Sequence, residues 1–376
     1  MQMKAAVLRE QGKPRPYVES QPMTIETIDL APPGPGEVLY KIVGAGLCHS
    51  DLSTIENLRP RKLPTIPGHE AAGIVEEVGA GVTNLKPGDH VISVFVTSCG
   101  DCRYCNGGRP NLCQSSNKSR TDGTLISGAR RLSLNGEPIN HYSGLSVFAQ
   151  YAVVSQNALI KIPDDVPLDD AAIFGCAVVT GVGAVLNTAQ VPPGGQMAVV
   201  GLGGVGMNAL LGGVVAGAER IVAVDLNADK LKLARELGAT DTFLAGNADV
   251  IEDIRQATGG GLDYVIETAG SIPAMNLAYA IAARGGAVVS AGLPASDARF
   301  SYLHSAFVSD GKSILGSYMG SCVPKRDIPR FIALYQRGKL PVHRLRSGYI
   351  TLEQINEGFD RLSDGAVLRQ VLRPHA

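Results

Sequence analysis

The sequence predicts an α/β protein in two parts: a β-rich domain and a domain built on a doubly wound parallel sheet. Three observations carry this. The chain has 376 residues, more than one ordinary hydrophobic core accommodates. Its first third is rich in short Val/Ile runs broken by turn signals, as in PGPGEV, NLKPGDHVISV and FAQYAVV, the texture of irregular β-structure with few long helices. After about residue 178 strands alternate with helices, which predicts βαβ units over 178–319, flanked by 1–177 and 320–376.

The alternating part reads in order. QMAVVG is a strand, GVGMNALLGGVVAGA a helix, IVAVD a strand and ADKLKLARELG a helix. DYVIETAG follows as a strand, IPAMNLAYAIAAR as a helix, and GGAVVSAG and KSILGS as strands. The alternation then stops. IPRFIALYQRG reads as a helix, and in TLEQINEGFDRLSDG the pair Thr351 and Gln354 has capping-box spacing.

Composition excludes several function classes. Hydrophobic residues at 45% and charged residues at 18% describe a compact chain, not a disordered one. A formal net charge of −1 provides no long-range field for a polyanion, so nucleic acid is not an expected partner. MQMKAAVLREQG lacks the apolar core and cleavage site of a signal peptide, and the cytoplasm is the default compartment. From Ala171 to Ala218 no residue is charged, but Pro192, Pro193, Gly194 and Gly195 interrupt the stretch, and Asn187, Gln190 and Gln196 lie within it. A bilayer span needs about 20 apolar residues in one run. A buried parallel strand flanked by turns accounts for the pattern with fewer assumptions, and no membrane association is expected.

GLGGVG follows the strand QMAVV and opens a helix. In such a loop Gly201 permits the tight turn, Gly203 lets backbone approach a pyrophosphate, and Gly206 lets helix and strand pack closely, with the diphosphate on the helix N-terminus. In a chain with 45 glycines the motif alone is weak, and its context gives it weight. The next strand ends in Asp225, nineteen residues after Gly206, where a carboxylate accepts hydrogen bonds from the adenosine ribose. That charge repels a 2′-phosphate, and Leu226 and Asn227 offer no arginine to bind one. The expected cofactor is NAD, on a Rossmann domain.

Seven cysteines lie at 48, 99, 102, 105, 113, 176 and 322. Cys99, Cys102, Cys105 and Cys113 crowd into fifteen residues and supply four thiolates, enough for a closed tetrahedral zinc site. Redox-active CxxC pairs and reduced surface thiols remain alternatives. A nucleic-acid zinc module would need more basic neighbours than Arg103, Arg109 and Lys118. Cys48 in GLCHSD, His69 and Glu70 in PGHE, and Cys176 in FGC are dispersed. Two thiolates and an imidazole leave a fourth position open on zinc, as in catalytic sites. Nothing in composition or periodicity connects these residues, and a lone cysteine in an apolar run is more often core.

A resemblance connects them. GLCHSD, PGHEAAGIVEEVG, KPGDHVI, the four-cysteine lobe, GLGGVG with Asp225, and INEGFDRL together resemble the zinc-dependent medium-chain alcohol dehydrogenases over nearly the whole chain. The loop between Cys113 and Phe148 is similar to the liver-type (class I and III) branch. The resemblance implies a GroES-like catalytic domain made of 1–177 and 320–376, interrupted by the NAD-binding Rossmann domain. It implies two zinc ions per chain: Cys48, His69 and Cys176 hold a catalytic ion with Glu70 as an alternate ligand, and the four-cysteine lobe holds a structural one. It implies hydride transfer between NAD and a primary alcohol or its aldehyde, with zinc-alkoxide activation. Asp51 matches the carboxylate that orients the imidazole, and Ser50 the hydroxyl that takes the alcohol proton. His49 and Arg369 match cations on the cofactor pyrophosphate, and Lys230 matches one beside the ribose. Thr180 and Val205 match positions against the nicotinamide. A homodimer is expected, since shorter, typically tetrameric members lack the loop.

Three departures limit the transfer. Ser53 stands where liver-like members end the proton relay in histidine. Asn117 stands where glutathione-dependent formaldehyde dehydrogenases carry arginine. Arg59 and Lys118 occupy pocket-mouth positions that are leucine in liver-type enzymes, while Phe95 and Tyr142 retain the aromatic lining. The two mouth cations leave two readings open: they pair with an anionic far end of the substrate, or they turn outward as solvated charge. A polyol or amino-alcohol dehydrogenase of the same superfamily is the alternative enzyme. A non-catalytic, crystallin-like dinucleotide binder is the alternative outside enzymes.

Overall fold

Computed from the sequence, the structural model describes residues 1–376. The chain divides into two units. The first comprises Met1–Cys176, Val323–Gln336 and Val342–Ala376, and the second Ala177–Cys322 with Arg337–Pro341.

The β-rich texture of the first unit becomes a closed barrel and a seven-stranded sheet. Gln2–Leu8, Met23–Leu30, Leu132–Leu134, Glu137–His141 and Thr65–Ile66 form the barrel, which closes where Leu8 pairs with Thr65. At the centre of the sheet, Glu37–Gly46 pairs with Ala71–Val78, Tyr151–Ser155 and, at its end, Arg369–Leu372. Its register against Ala71–Val78 shifts at Leu39/Tyr40 and at Ile42/Gly44, and such bulges bend a strand. Gly73 faces one shift, where a Cβ would lie 2.0 Å from the Lys41 carbonyl oxygen, so no side chain fits. The bent strand delivers Leu47 and Cys48 to the start of the helix His49–Ile55. Tyr17, Tyr40, Phe148 and Phe359 are buried in the core of this unit.

In the second unit six parallel strands run, in sheet order, Asp241–Leu244, Arg220–Asp225, Gln196–Val200, Leu262–Glu267, Ala282–Ser290 and Ser313–Gly316. Numbered along the chain this is 3-2-1-4-5-6, the Rossmann order with its switch point beside the first strand. The charge-free stretch resolves into the helix Ala177–Gly183, the π-helical Ala184–Ala189, the strand Gln196–Val200 and the helix Gly204–Ala216. No single helix is long and apolar enough to cross a membrane.

Several local readings are corrected. The strand Asp241–Leu244 and the helix Val250–Ala257 escape the sequence pattern, the strand because its side chains are half-exposed and show no two-residue alternation. The helix starting at Ile272 stops at Ile281, and AAR joins the strand Ala282–Ser290. The helix Ile355–Ser363 begins after Gln354, so Thr351 is not its cap. The Gln354 side chain instead accepts the Thr351 backbone N–H at 3.0 Å, closing a turn before the helix.

His141 ends the barrel strand that pairs with Thr65–Ile66. Its Nε2 accepts the Arg131 backbone N–H at 3.1 Å, and burial pushes its pKa down to about 3. A histidine kept neutral in the fold but free to protonate when unfolded stabilises above its unfolded pKa near 6.5, and that stability is lost as pH falls. Between pH 7 and pH 5 the expected loss from this group is about 2 kcal/mol. His141→Gln, which keeps an acceptor but cannot titrate, should flatten that part of the pH dependence of urea unfolding. An unchanged slope in the variant would remove His141 as its source.

Candidate metal and dinucleotide sites

Cys48 caps the helix His49–Ile55 in an extended conformation, which turns its side chain off the sheet edge. His69 arrives from the Pro67-Gly68 turn. Gly68 has φ +93°, and a Cβ there would meet Phe148 at 2.7 Å, so only glycine permits this approach. Cys176 follows the 3-10 turn Ala172–Gly175, and a Cβ at Gly175 would lie 2.1 Å from the Ser93 carbonyl oxygen. Three distant segments thus bring the two sulfurs and an imidazole nitrogen within 4.8 Å of one another, all buried.

The surroundings fix the state of each donor. His69 Nδ1 is 2.9 Å from Asp51 Oδ1, which also accepts the Gly68 N–H at 3.2 Å. With Nδ1 donating to the carboxylate, Nε2 is left as the ligand atom. Burial opposes a charge on His69, but Asp51 and Cys48 outweigh it and raise its pKa well above the ordinary value. Burial in turn raises the Asp51 pKa against the pull of His69. The Cys48 thiol is held well below its usual range, first by its contact with Cys176 and then, against burial, by Arg369 and His69. The Arg369 guanidinium is buried, donates to the Leu47 carbonyl at 2.9 Å and stands 3.6 Å from Glu70 Oε1. Glu70 lies outside the three-residue donor cluster and faces Arg369.

The four-cysteine lobe is formed by the short helices Arg103–Asn106 and Pro110–Leu112. Its four sulfurs lie within 4.8 Å of one another, with Cys102–Cys105 at 3.6 Å and Cys99–Cys105 at 3.9 Å. A tetrahedral ion with Zn–S bonds near 2.3 Å separates its sulfurs by about 3.8 Å, whereas a disulfide needs about 2.05 Å. Backbone N–H groups point at the sulfurs, Cys99 N to Cys113 Sγ at 3.3 Å and Cys102 N to Cys99 Sγ at 3.4 Å. The Cys102 pKa is lowered to about 6, chiefly by the Cys105 and Gln114 N–H groups. Both donor sets fit zinc.

In the second unit Gly201 has φ +91°, and a Cβ at Gly206 would lie 1.8 Å from the Gly201 carbonyl oxygen. The loop and its helix therefore meet backbone to backbone, while nothing lies within 4 Å of where a Gly203 Cβ would point. This is an open, N–H-lined approach to the thirteen-residue helix Gly204–Ala216, suited to a pyrophosphate. Asp225 braces the loop: Oδ2 accepts the Leu202 N–H at 2.6 Å and Oδ1 the Asn227 N–H at 2.8 Å. Asn227 caps the next helix, whose first turn holds half-buried Lys230. Val205 is half-buried at the loop, and the buried Thr180 hydroxyl has no hydrogen-bond partner, as a group awaiting a ligand would. The loop fits a dinucleotide.

Residues 34–164 match the alcohol dehydrogenase GroES-like domain, and residues 204–337 match the zinc-binding dehydrogenase domain. An alcohol dehydrogenase zinc-binding domain protein from Burkholderia ambifaria is 35% identical over 99% of both chains, with a TM-score of 0.92. The chain belongs to the zinc-binding medium-chain dehydrogenase family. Benzyl alcohol dehydrogenase from Acinetobacter calcoaceticus is 31% identical over 99% of both chains, also at TM-score 0.92. A zinc-binding dehydrogenase from Sinorhizobium meliloti 1021, solved with NADP, is 25% identical over 100% of both chains at TM-score 0.82.

Around the three donors in this family member, Phe95 meets His69 edge-on at 5.5 Å between ring centroids, and Tyr142 stands at 6.1 Å. The Tyr142 hydroxyl is 3.0 Å from Thr54 Oγ1 and donates to the Ser50 carbonyl at 3.1 Å. Thr54 is a contributor the sequence reading missed, because a buried threonine in a short helix carries no signal of its own. Ser50 is half-buried and His49 exposed. Lys118 departs from the expected mouth position: its side chain is 79% exposed and pairs with Asp122 one turn on. Arg59 is half-buried, its backbone N–H bonded to the Ser53 carbonyl.

Cys176→Ala is expected to leave a folded chain with about one zinc by elemental analysis and activity reduced by at least a thousandfold, since a lobe that holds an ion of its own would keep it. Cys102→Ala should instead lower the Tm or the soluble yield. Full activity with two zinc ions in Cys176→Ala would show that this cluster is not the catalytic site.

Proposed function

We propose that this family member is an NAD-linked dehydrogenase of primary alcohols, of the liver-type branch, interconverting alcohol and aldehyde. The observation that carries the reading is the buried Cys48, His69 and Cys176 donor set flanked by the Phe95 and Tyr142 rings. A zinc ion held there would leave a fourth position to substrate and supply Lewis-acid acidification of the alcohol hydroxyl. The other steps belong to the chain. Ser50 Oγ receives the alcohol proton, and Tyr142 and Thr54 hold the Ser50 carbonyl so that this hydroxyl has a defined origin. Asp51 keeps the His69 tautomer, and the contact with Cys176, then Arg369 and His69, holds the Cys48 thiol low. The rings exclude water and accept an apolar carbinol, which agrees with the named substrate of the Acinetobacter neighbour. Bound at the glycine loop, NAD would supply the hydride acceptor, with His49 and Lys230 as the cations toward it. Thiolate ligands call for a reducing compartment such as the cytoplasm.

Steady-state NADH formation over aliphatic, allylic and aromatic primary alcohols, polyols and amino alcohols tests the substrate class. The highest kcat/KM should fall on a primary alcohol, at least a hundredfold above any polyol; the reverse order would return the alternative enzyme. Asp225→Gly should reduce the NAD over NADP preference at least tenfold, because the ribose acceptor, the repulsive charge and the Leu202 brace are lost together. A wild-type preference for NADP would sink the cofactor assignment.

A homodimer is proposed as the assembly. The edge strand Ser313–Gly316 exposes Leu315, and Leu303 and Val308 are exposed nearby in sequence, an apolar edge that a second copy would cover. Light scattering should give about twice the 39.3 kDa chain mass; a mass near four chains would show that the long loop does not set the assembly.

A further inference from the structure

The segment that ends in Cys176 is held by side chains from much later in the chain. Leu168–Ala171 is helical, and Ala172–Gly175 continues it as a 3-10 turn. Ala171 and Ala172 both have right-handed helical φ and ψ, so the two form one helical run up to Gly175. A tilt at one end of such a run is carried to the other. From Asp170 to Cys176, a rise of about 1.5–2.0 Å per residue makes a lever of about 10 Å, and a tilt of about 5° moves Cys176 by about 1 Å. Metal–ligand distances tolerate only about 0.2 Å. The angle of this run therefore decides whether the Cys176 sulfur can share an ion with Cys48 and His69.

Asp170 is buried and fixed from two directions. Its Oδ2 accepts the Tyr335 hydroxyl at 2.7 Å, and its Oδ1 accepts an N–H of Arg346. Tyr335 lies in the last turn of the helix Pro324–Gln336, and its ring meets that of buried Phe174 edge-on, 5.9 Å between centroids. Gln336 adds bonds of 3.1 Å to the Asp165 carboxylate. The run is thus gripped at Asp170 and again at Phe174. Arg346 opens the strand Arg346–Ile350, where its register partner is Arg369. Arg369 donates to the carbonyl of Leu47, the residue before Cys48. One rung of a parallel ladder therefore sends one guanidinium to the Cys48 segment and the other to the Cys176 segment.

We propose that Arg346 and Asp170 are positioning residues that set the spacing between the Cys48 and Cys176 sulfurs; this rests on the reading of Cys48, His69 and Cys176 as a metal site. Both lie outside the donor cluster and act through the helical run. A carboxylate held by a guanidinium and a phenol keeps one orientation, because a planar fork and a second donor leave it little freedom to turn. Donors held in place before an ion arrives lose it slowly, and donors free to drift lose it fast. The grip on Asp170 therefore shows in how long the ion stays, and the four-cysteine lobe, built from its own short stretch, does not depend on it.

Release of zinc from the fully loaded, full-length chain to excess 4-(2-pyridylazo)resorcinol tests this. Wild type should show two phases, and Cys176→Ala, which should keep the lobe ion alone, tells them apart. Asp170→Asn and Arg346→Met should speed the Cys176-dependent phase at least tenfold and leave the lobe phase within twofold of wild type. Arg346→Lys, which keeps the charge but not the fork, should fall between. With cobalt(II) in place of zinc, Asp170→Asn and Arg346→Met should also shift the thiolate charge-transfer band that Cys176→Ala removes. Arg131→Met, which cuts the Arg131–Glu37 pair of the same unit, is the control: its Tm should fall without a faster Cys176-dependent phase. A Cys176-dependent phase within twofold of wild type in both Asp170→Asn and Arg346→Met overturns the proposal, as does an equal acceleration in Arg131→Met. A wild type that binds the lobe ion alone overturns the metal reading as well. If Asp170→Asn or Arg346→Met does not fold by circular dichroism, Arg346→Lys and Tyr335→Phe, which keeps the ring against Phe174, decide, and an unmoved phase in both overturns the proposal.

Discussion

Charge buried around Cys48 must be balanced, and much of the first unit is arranged to do so. Cys48, held toward its thiolate, and the carboxyls of Asp51 and Glu70 stand against a single permanent cation, Arg369, while Cys48 and burial push the Cys176 thiol up. Buried charge of one sign is expensive unless compensated. A divalent cation is the simplest completion, and the packing around the cluster makes sense as the means of keeping its donors in place. Gly68 admits His69 against Phe148, Gly175 admits Cys176 against strand His90–Ser93, and Gly46 leaves room for Glu70.

The two candidate donor sets differ in how they are built. The lobe draws on fifteen consecutive residues and on backbone N–H groups within the same stretch, so it carries its own geometry. The buried set draws on three segments joined by a bent central strand and a barrel, so its geometry is a property of the whole sheet. Asp51 does two tasks there, orienting the imidazole and accepting the Gly68 N–H that shapes the turn before it.

That difference explains what could be read from the sequence. The glycine loop with Asp225 and the four clustered cysteines are legible because the residues that act together are near in sequence. The parallel-sheet part is legible because its strands are apolar runs and its helices have the usual length, except at Asp241–Leu244, where half-exposed side chains erase the pattern. Cys48, His69 and Cys176 are tied only by a resemblance, since no spacing rule links residues from three segments. Side-chain direction was out of reach. Arg59 and Lys118 stood out by position, yet Lys118 belongs to Asp122 and the guanidinium over Tyr142 is that of Arg61. The Lys118–Asp122 spacing of one helical turn was the available signal.

The sheet that carries Cys48 is completed by residues made much later. Arg369 bonds the Leu47 carbonyl across 322 positions, and Tyr17 N bonds Asp360 across 343, whereas the six-stranded sheet is contained within 196–316. On a ribosome, the dinucleotide unit has all its strands before the first unit receives Arg369–Leu372. Loop-closure entropy makes such distant pairings the slow ones, and domains form as their segments emerge. Cys48 is therefore made 321 positions before the arginine that helps hold its thiol low. The charge environment of Cys48 is thus completed only when the last strand of its own sheet has been made.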